Sequence, residues 1–249
     1  MNENLITKAV TASGICSPQD VSINDKAATR AAIISFVKKH GIQFIESSQW
    51  GAKPAKNVDN DWFFKSIALH HAGNSFSCSV DNLDQLQSIE KTDVSKFKHL
   101  SYHYAISCDG KVYELLDIRF KGAHISRGNT QVIGIVMMAD LSHAGEAYEQ
   151  EYKNKGWGDI IKKSPELIND QFDNNYDTVS KVQENALITL VAALKKYFAM
   201  NIVGGHKEFQ VLANKEGRAC PGTEGMKIVK NLRSKFSFIA PSSSNYPHK

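Results

Sequence analysis

The chain has 249 residues, 42% apolar and 22% charged, which are ordinary values for a water-soluble globular fold and enough for one large domain. Its formal net charge is +4, with no dense Lys/Arg block and no aromatic-basic repeat, so a nucleic-acid partner is not expected. The longest apolar runs, Ile133–Ala139 and Ala186–Leu194, are too short to span a membrane.

The N-terminus, Met1 to Lys8, has no basic stretch followed by an apolar core, so no standard signal peptide is expected. Residues 1–41 form an N-terminal helical segment. Within it Ser17-Pro18-Gln19-Asp20 opens a turn, and Ala28, Ala31, Ile33, Ile34 and Val37 make an apolar stripe over Ala27–Lys39. Gly41 stops that helix, whose apolar face must pack on the rest of the chain.

The main domain is expected over 42–238. Phe63–His71 contains a short apolar run read as a strand, and Leu83, Leu86 and Ile89 have helical spacing. Tyr102–Ser107 and Val112–Leu115 flank Asp109-Gly110, a hairpin signal. Val132–Ala139, nearly all apolar, suits a central strand covered on both faces. Residues 142–177 are polar and read as an inserted excursion with one short helix. Thr178–Met200 is the clearest helix, with Val179, Val182, Ala186, Leu190, Ala193 and Tyr197 on one side. Ile202-Val203 is a short strand running into Gly204-Gly205, and 239–249 reads as a disordered tail. Strands mixed with helices indicate an α/β domain with a central mixed sheet flanked by helices.

Two imidazoles and a thiolate from distant segments stand out: His70-His71, His206 and Cys220. Such a set could hold zinc with a fourth position left for water. Side chains alternate along a strand, so only one of His70 and His71 faces a given site, and periodicity does not choose between them. Four cysteines are too few for a disulfide scaffold. Cys16, Cys78 and Cys108 read as small, partly buried residues, with a Cys78–Cys108 bridge left open.

Five segments, in order, resemble the zinc-dependent N-acetylmuramoyl-L-alanine amidases that share a fold with peptidoglycan recognition proteins and phage amidase lysozymes. They are Glu46–Ala52 ending in Trp-Gly-Ala, Ile67–Gly73, Leu100–Ile106 with Asp109–Glu114, Gly122-Ala123-His124 with Asn129 and Ile133-Gly134-Ile135, and Val203–His206 with Ala219–Gly222. The resemblance covers roughly residues 42–236 and implies a zinc ion held by His70, His206 and Cys220. It also implies catalytic roles for Tyr102, which would orient or protonate the reacting groups, and for Arg218 and His124, which would stabilise the oxyanion. The chain departs from one branch of the family, which carries a glutamate where Val136 stands, and it has Arg218 where the phage branch has lysine.

The implied activity is cleavage between N-acetylmuramic acid and L-alanine of peptidoglycan by a monomer, with an immunity or inhibitor protein as a candidate partner. The implied roles are a phage endolysin, an antibacterial effector exported by a route such as type VI secretion, or a recycling enzyme, with the lytic roles favoured. Its site of action would be a cell wall, after synthesis in the cytoplasm. A non-catalytic peptidoglycan-binding module and a stem-peptide peptidase are the rivals.

Overall fold

Six strands form one sheet, ordered β1 (Phe44–Ile45), β4 (Val112–Glu114), β3 (Tyr104–Ile106), β5 (Val132–Met137), β2 (Ser66–His71) and β6 (Ile202–Gly205). Every pairing is parallel except β3 with β4. This computed structural model describes residues 23–73, 78–146, 148–153 and 176–248. Most of the polar excursion at 142–177 and the Ser17-Pro18-Gln19-Asp20 turn lie outside them.

β5 and β2 are interior strands, and their apolar runs are buried on both faces as parallel-sheet strands must be. Ile67, Leu69, Ile133, Ile135 and Met137 point into the larger core. There they meet α1 (Ile23–Lys39), α4 (Lys181–Tyr197) and α6 (Gly222–Phe236). On the opposite face Val136 packs with Leu86 and Ile89 of α3 (Asn82–Phe97). Ala68 and Val132 pack there with Phe209 of α5 (His206–Asn214). The strand expected over Phe63–His71 begins at Ser66, and the helical spacing of Leu83, Leu86 and Ile89 belongs to a helix that runs on to Phe97. Asp81 caps that helix by accepting from the Leu83 and Asp84 amides.

The helix of the N-terminal segment is keyed into the sheet by charge as well as by its apolar stripe. Arg30 of α1 forks onto Glu114, which is 1% exposed at the end of β4. Glu114 also accepts from the Ser47 amide of the short helix α2 (Ser47–Trp50), and its carbonyl accepts from the Trp50 indole.

Two features differ from the sequence reading. Cys78 and Cys108 form a disulfide that ties the segment after β2 to the hairpin turn. The tail expected to be disordered instead packs back across the sheet edge over the described residues to His248. Tyr246 is 2% exposed there, lies edge-on to Phe209, and donates to the Gly128 carbonyl at 2.7 Å. The aromatic ring among the serines outweighs the local polarity, because burying it gains more than ordering a few residues costs. No helix of the described residues is long and apolar enough to cross a membrane.

Candidate metal centre

The register of the parallel strands brings the first two site residues together. Leu69 of β2 lies opposite Gly205 of β6, so the next residue on each chain, His70 and His206, leaves the carboxyl edge of the sheet at one level. Ligands bind outside the carboxyl ends of parallel strands for this reason. His70 shares its face with Ala68, as alternation demands, whereas His71 turns to the other face. There His71 Nδ1 accepts from the Leu141 amide at 3.1 Å.

Cys220 arrives from the turn before α6. The Lys207 amide donates to the Cys220 carbonyl at 2.9 Å, fixing that turn against the first turn of α5. Gly205 makes room for it: a Cβ there would lie 2.6 Å from the Pro221 ring and 2.5 Å from the Met226 sulfur. The ligand atoms of His70, His206 and Cys220 all fall within 4.8 Å of one another, and Cys220 Sγ is 3.6 Å from His70 Nδ1. Tetrahedral zinc with these donors needs ligand atoms about 3.3–3.8 Å apart, so small side-chain movements complete the site. The donor set of two imidazoles and one thiolate fits zinc with an open fourth position.

Burial tunes all three groups. It holds His70 well below the usual imidazole range, with His206 and His124 adding to the effect, and brings His206 down to about 4. Burial also pushes the Cys220 thiol up to about 12, against the pull of the His71 main-chain N–H. At neutral pH the metal-free centre therefore presents two neutral imidazoles, which are ready donors, and a protonated thiol. A metal cation bound there would favour the thiolate, so its uptake would release that proton.

Each imidazole has one nitrogen left for the metal because the other is engaged. His70 Nε2 is 3.0 Å from His124 Nδ1, and His206 Nε2 is 3.1 Å from Gln210 Oε1. Gln210 is 1% exposed and lies one helical turn beyond His206, a spacing visible in the sequence but not singled out there.

The remaining sequence-predicted residues take different positions. Tyr102 stands beside the centre, its ring centroid 4.9 Å from that of His70. Burial, and to a lesser extent the Cys220 sulfur, raise its phenol, so Tyr102 is a hydrogen-bond donor at neutral pH and not a base. Arg218 is near enough to act on both His206 and Cys220, yet its guanidinium is shared between Glu151 at 3.4 Å and Glu216 at 3.2 Å. Glu151 comes from the short π-helical turn Tyr148–Tyr152 in the excursion and also accepts from the Ala219 amide at 2.9 Å. His124 sits behind His70, 7% exposed, with both ring nitrogens occupied inside the protein. His103 is structural: its Nε2 donates to the Phe120 carbonyl and its Nδ1 accepts from the Gly134 amide, each at 3.0 Å.

Comparison with known proteins gives a consistent set of likenesses. The family model described as Amidase_2, N-acetylmuramoyl-L-alanine amidase, matches residues 62–223. Peptidoglycan-recognition protein SC2 of Drosophila melanogaster is 32% identical over 106 residues, which is 41% of this chain and 58% of that protein. The chain thus matches less than two thirds of that relative's length. Among solved structures, Drosophila PGRP-LB superposes with a TM-score of 0.53 at 18% identity, covering 80% of this chain and 96% of that one. The endolysin N-acetylmuramoyl-L-alanine amidase LysCS from Clostridium intestinale URNW superposes with a TM-score of 0.53 at 16% identity, covering 79% and 97%. At these identities the two structures share the fold.

Proposed function

We infer that this chain, which belongs to the N-acetylmuramoyl-L-alanine amidase family, is a zinc-dependent peptidoglycan hydrolase that cuts the amide between N-acetylmuramic acid and L-alanine. One observation carries the reading: His70 and, well over a hundred residues later, His206 and Cys220 converge within 4.8 Å at the carboxyl edge of the sheet. A cysteine completing that set favours hydrolysis over binding alone, because the three residues present a full zinc donor set with one corner free.

Bound zinc would supply Lewis acidity toward the carbonyl and an activated water. The surrounding side chains do the rest. Tyr102, protonated and against His70, orients the reacting amide through its O–H and can pass that proton towards the leaving nitrogen. Arg218 offers positive charge at the rim, and its pairing with Glu151 and Glu216 means it must release a carboxylate before it can meet an oxyanion. With Val136 at the carboxylate position of another branch, the proton-donor role falls to Tyr102 beside His70.

The role we propose is lytic, as a secreted antibacterial effector or an endolysin. The Cys78–Cys108 disulfide supports it, since such bonds persist in oxidising compartments and are rare in the cytosol where recycling takes place. Mass spectrometry of muropeptides after digestion tests the chemistry. Wild-type protein with zinc should release intact stem peptides with a free L-alanine amino terminus, and Cys220→Ser should lose both zinc and release. Binding of peptidoglycan without any release would leave a recognition module, and cuts within the stem would make it a peptidase.

A further inference from the structure

We propose that His124 is a positioning residue for the metal centre and that the Gly122–Gln131 segment, which gives no ligand, fixes both imidazoles. This rests on the zinc reading above and goes beyond it by moving His124 from the substrate side of the centre to the protein side.

The first support is direct. With His70 Nδ1 turned to Cys220, His70 Nε2 must carry the proton, and it donates to His124 Nδ1 at 3.0 Å. His124 Nε2 then carries its own proton and faces the Val132 carbonyl at 3.4 Å. That chain leaves His124 no free donor to aim at an oxyanion. The backbone is cut to seat this ring. A Cβ on Gly134 would lie 2.5 Å from it, and one on Gly122 2.6 Å. Asn129 Oδ1 holds the His124 and Ile125 amides at 2.9 and 2.8 Å, so the loop cannot swing the imidazole outward without breaking buried bonds.

The second support comes through the same loop. Gln210 donates to the Ser126 carbonyl and to Asn214 Oδ1, and its Oε1 accepts from the Ser126 amide. Those partners leave the amide one orientation, with oxygen towards His206, so His206 Nε2 must be the protonated nitrogen and Nδ1 the free one. One segment thus sets the tautomer of both ligands, directly at His70 and through Gln210 at His206. Groups that hydrogen-bond a metal-bound imidazole in this way orient it and raise its basicity.

The test is zinc affinity by chelator competition, run alongside hydrolysis on wild type, His124→Ala, His124→Asn and Gln210→Leu. Loss of such a partner weakens binding by about 10–100-fold, the size expected for His124→Ala and Gln210→Leu. His124→Asn should recover most of the affinity, because its Oδ1 can accept from His70 in place of Nδ1. If His124→Ala does not fold, the pair His124→Asn and Gln210→Leu still decides the matter through these opposite expectations. Unchanged zinc affinity in His124→Ala or Gln210→Leu with reduced hydrolysis would put His124 on the substrate and overturn the proposal. A wild-type chain that binds no zinc would sink the zinc reading itself, whereas a zinc-binding wild type with indifferent variants would sink this inference alone.

Discussion

The buried Tyr246 gives the sharpest test of how the metal-bearing elements are held. Its ring, 2% exposed, meets Phe209 of α5 at a centroid distance of 4.8 Å, and its hydroxyl donates to Gly128 in the loop that carries His124. Tyr246→Phe removes one hydrogen bond and leaves the Gly128 carbonyl without this partner, a loss of about 1 kcal/mol. Tyr246→Ala also opens a cavity beneath α5, and burial of an aromatic ring of this kind is worth about 3–5 kcal/mol. For a chain of this length that corresponds to a fall in Tm of roughly 10 °C. Urea unfolding of the metal-free protein, followed by circular dichroism, measures both variants, and truncation after Ile239 should match Tyr246→Ala. A Tyr246→Ala protein within about 0.5 kcal/mol of wild type, the range of an inconsequential surface change, would refute the packing of the tail.

Other consequences follow from the buried histidines and the cysteines. His103 is fully enclosed, and burial brings it from 6.5 down to about 4. A histidine depressed in the folded state contributes its full stability above 6.5 and loses it as pH falls towards 4, here about 3 kcal/mol. His206 shifts the same way and so do His70 and His124, so acid titration of the metal-free protein should show a steep loss of stability between those two values. A flat profile there would mean that these rings are not buried neutral. Reduction of the Cys78–Cys108 bond, which closes a loop with a sequence separation of 30, should cost about 3–4 kcal/mol in the chain-entropy account. Cys78→Ser in urea melts with and without phosphine reductant measures that cost: the variant should match the reduced wild type and ignore the reductant. Glu151→Gln keeps the acceptor for the Ala219 amide but removes the charge facing Arg218, so stability should change by less than about 1 kcal/mol. If Arg218 serves the oxyanion, hydrolysis by that variant should rise, and unchanged turnover would exclude the role.

Much of the centre was legible because its chemistry is written in residue type. Cys220 before Pro221-Gly222 and His206 after Gly204-Gly205 sit in turns that present them, the family resemblance selects them as ligands, and the apolar run of β5 suits a covered strand. The choice of His70 over His71 was not legible from periodicity, because a two-residue alternation assigns each to a face without saying which face holds the site. The structure resolves it through register: Ala68 and His70 share the face of Phe209 and His124, while Leu69 points to the large core. The packing of Tyr246 and the pairing of Cys78 were not legible for a common reason. Their partners, Gly128 and Cys108, lie 118 and 30 residues away, and local composition says nothing about a contact at that range.

The same distinction bears on His124, expected from the family resemblance to stabilise the oxyanion and proposed above to position the metal centre. Its place in a Gly-Ala-His run identifies a histidine beside the centre, and sequence cannot tell the two sides of a metal apart. Orientation is a property of what surrounds the ring, and here the surroundings are two glycines without side chains, an asparagine clamping its amide and a carbonyl behind it. Gln210 makes the converse case. Its spacing of four from His206 on α5 could have been noticed, yet its meaning appears only when Ser126, from a strand crossover far upstream, fixes which end of the amide faces the imidazole. A three-residue ligand set is therefore readable from the chain, whereas the preorganisation that would make it bind tightly resides in long-range contacts of a loop with no ligand of its own.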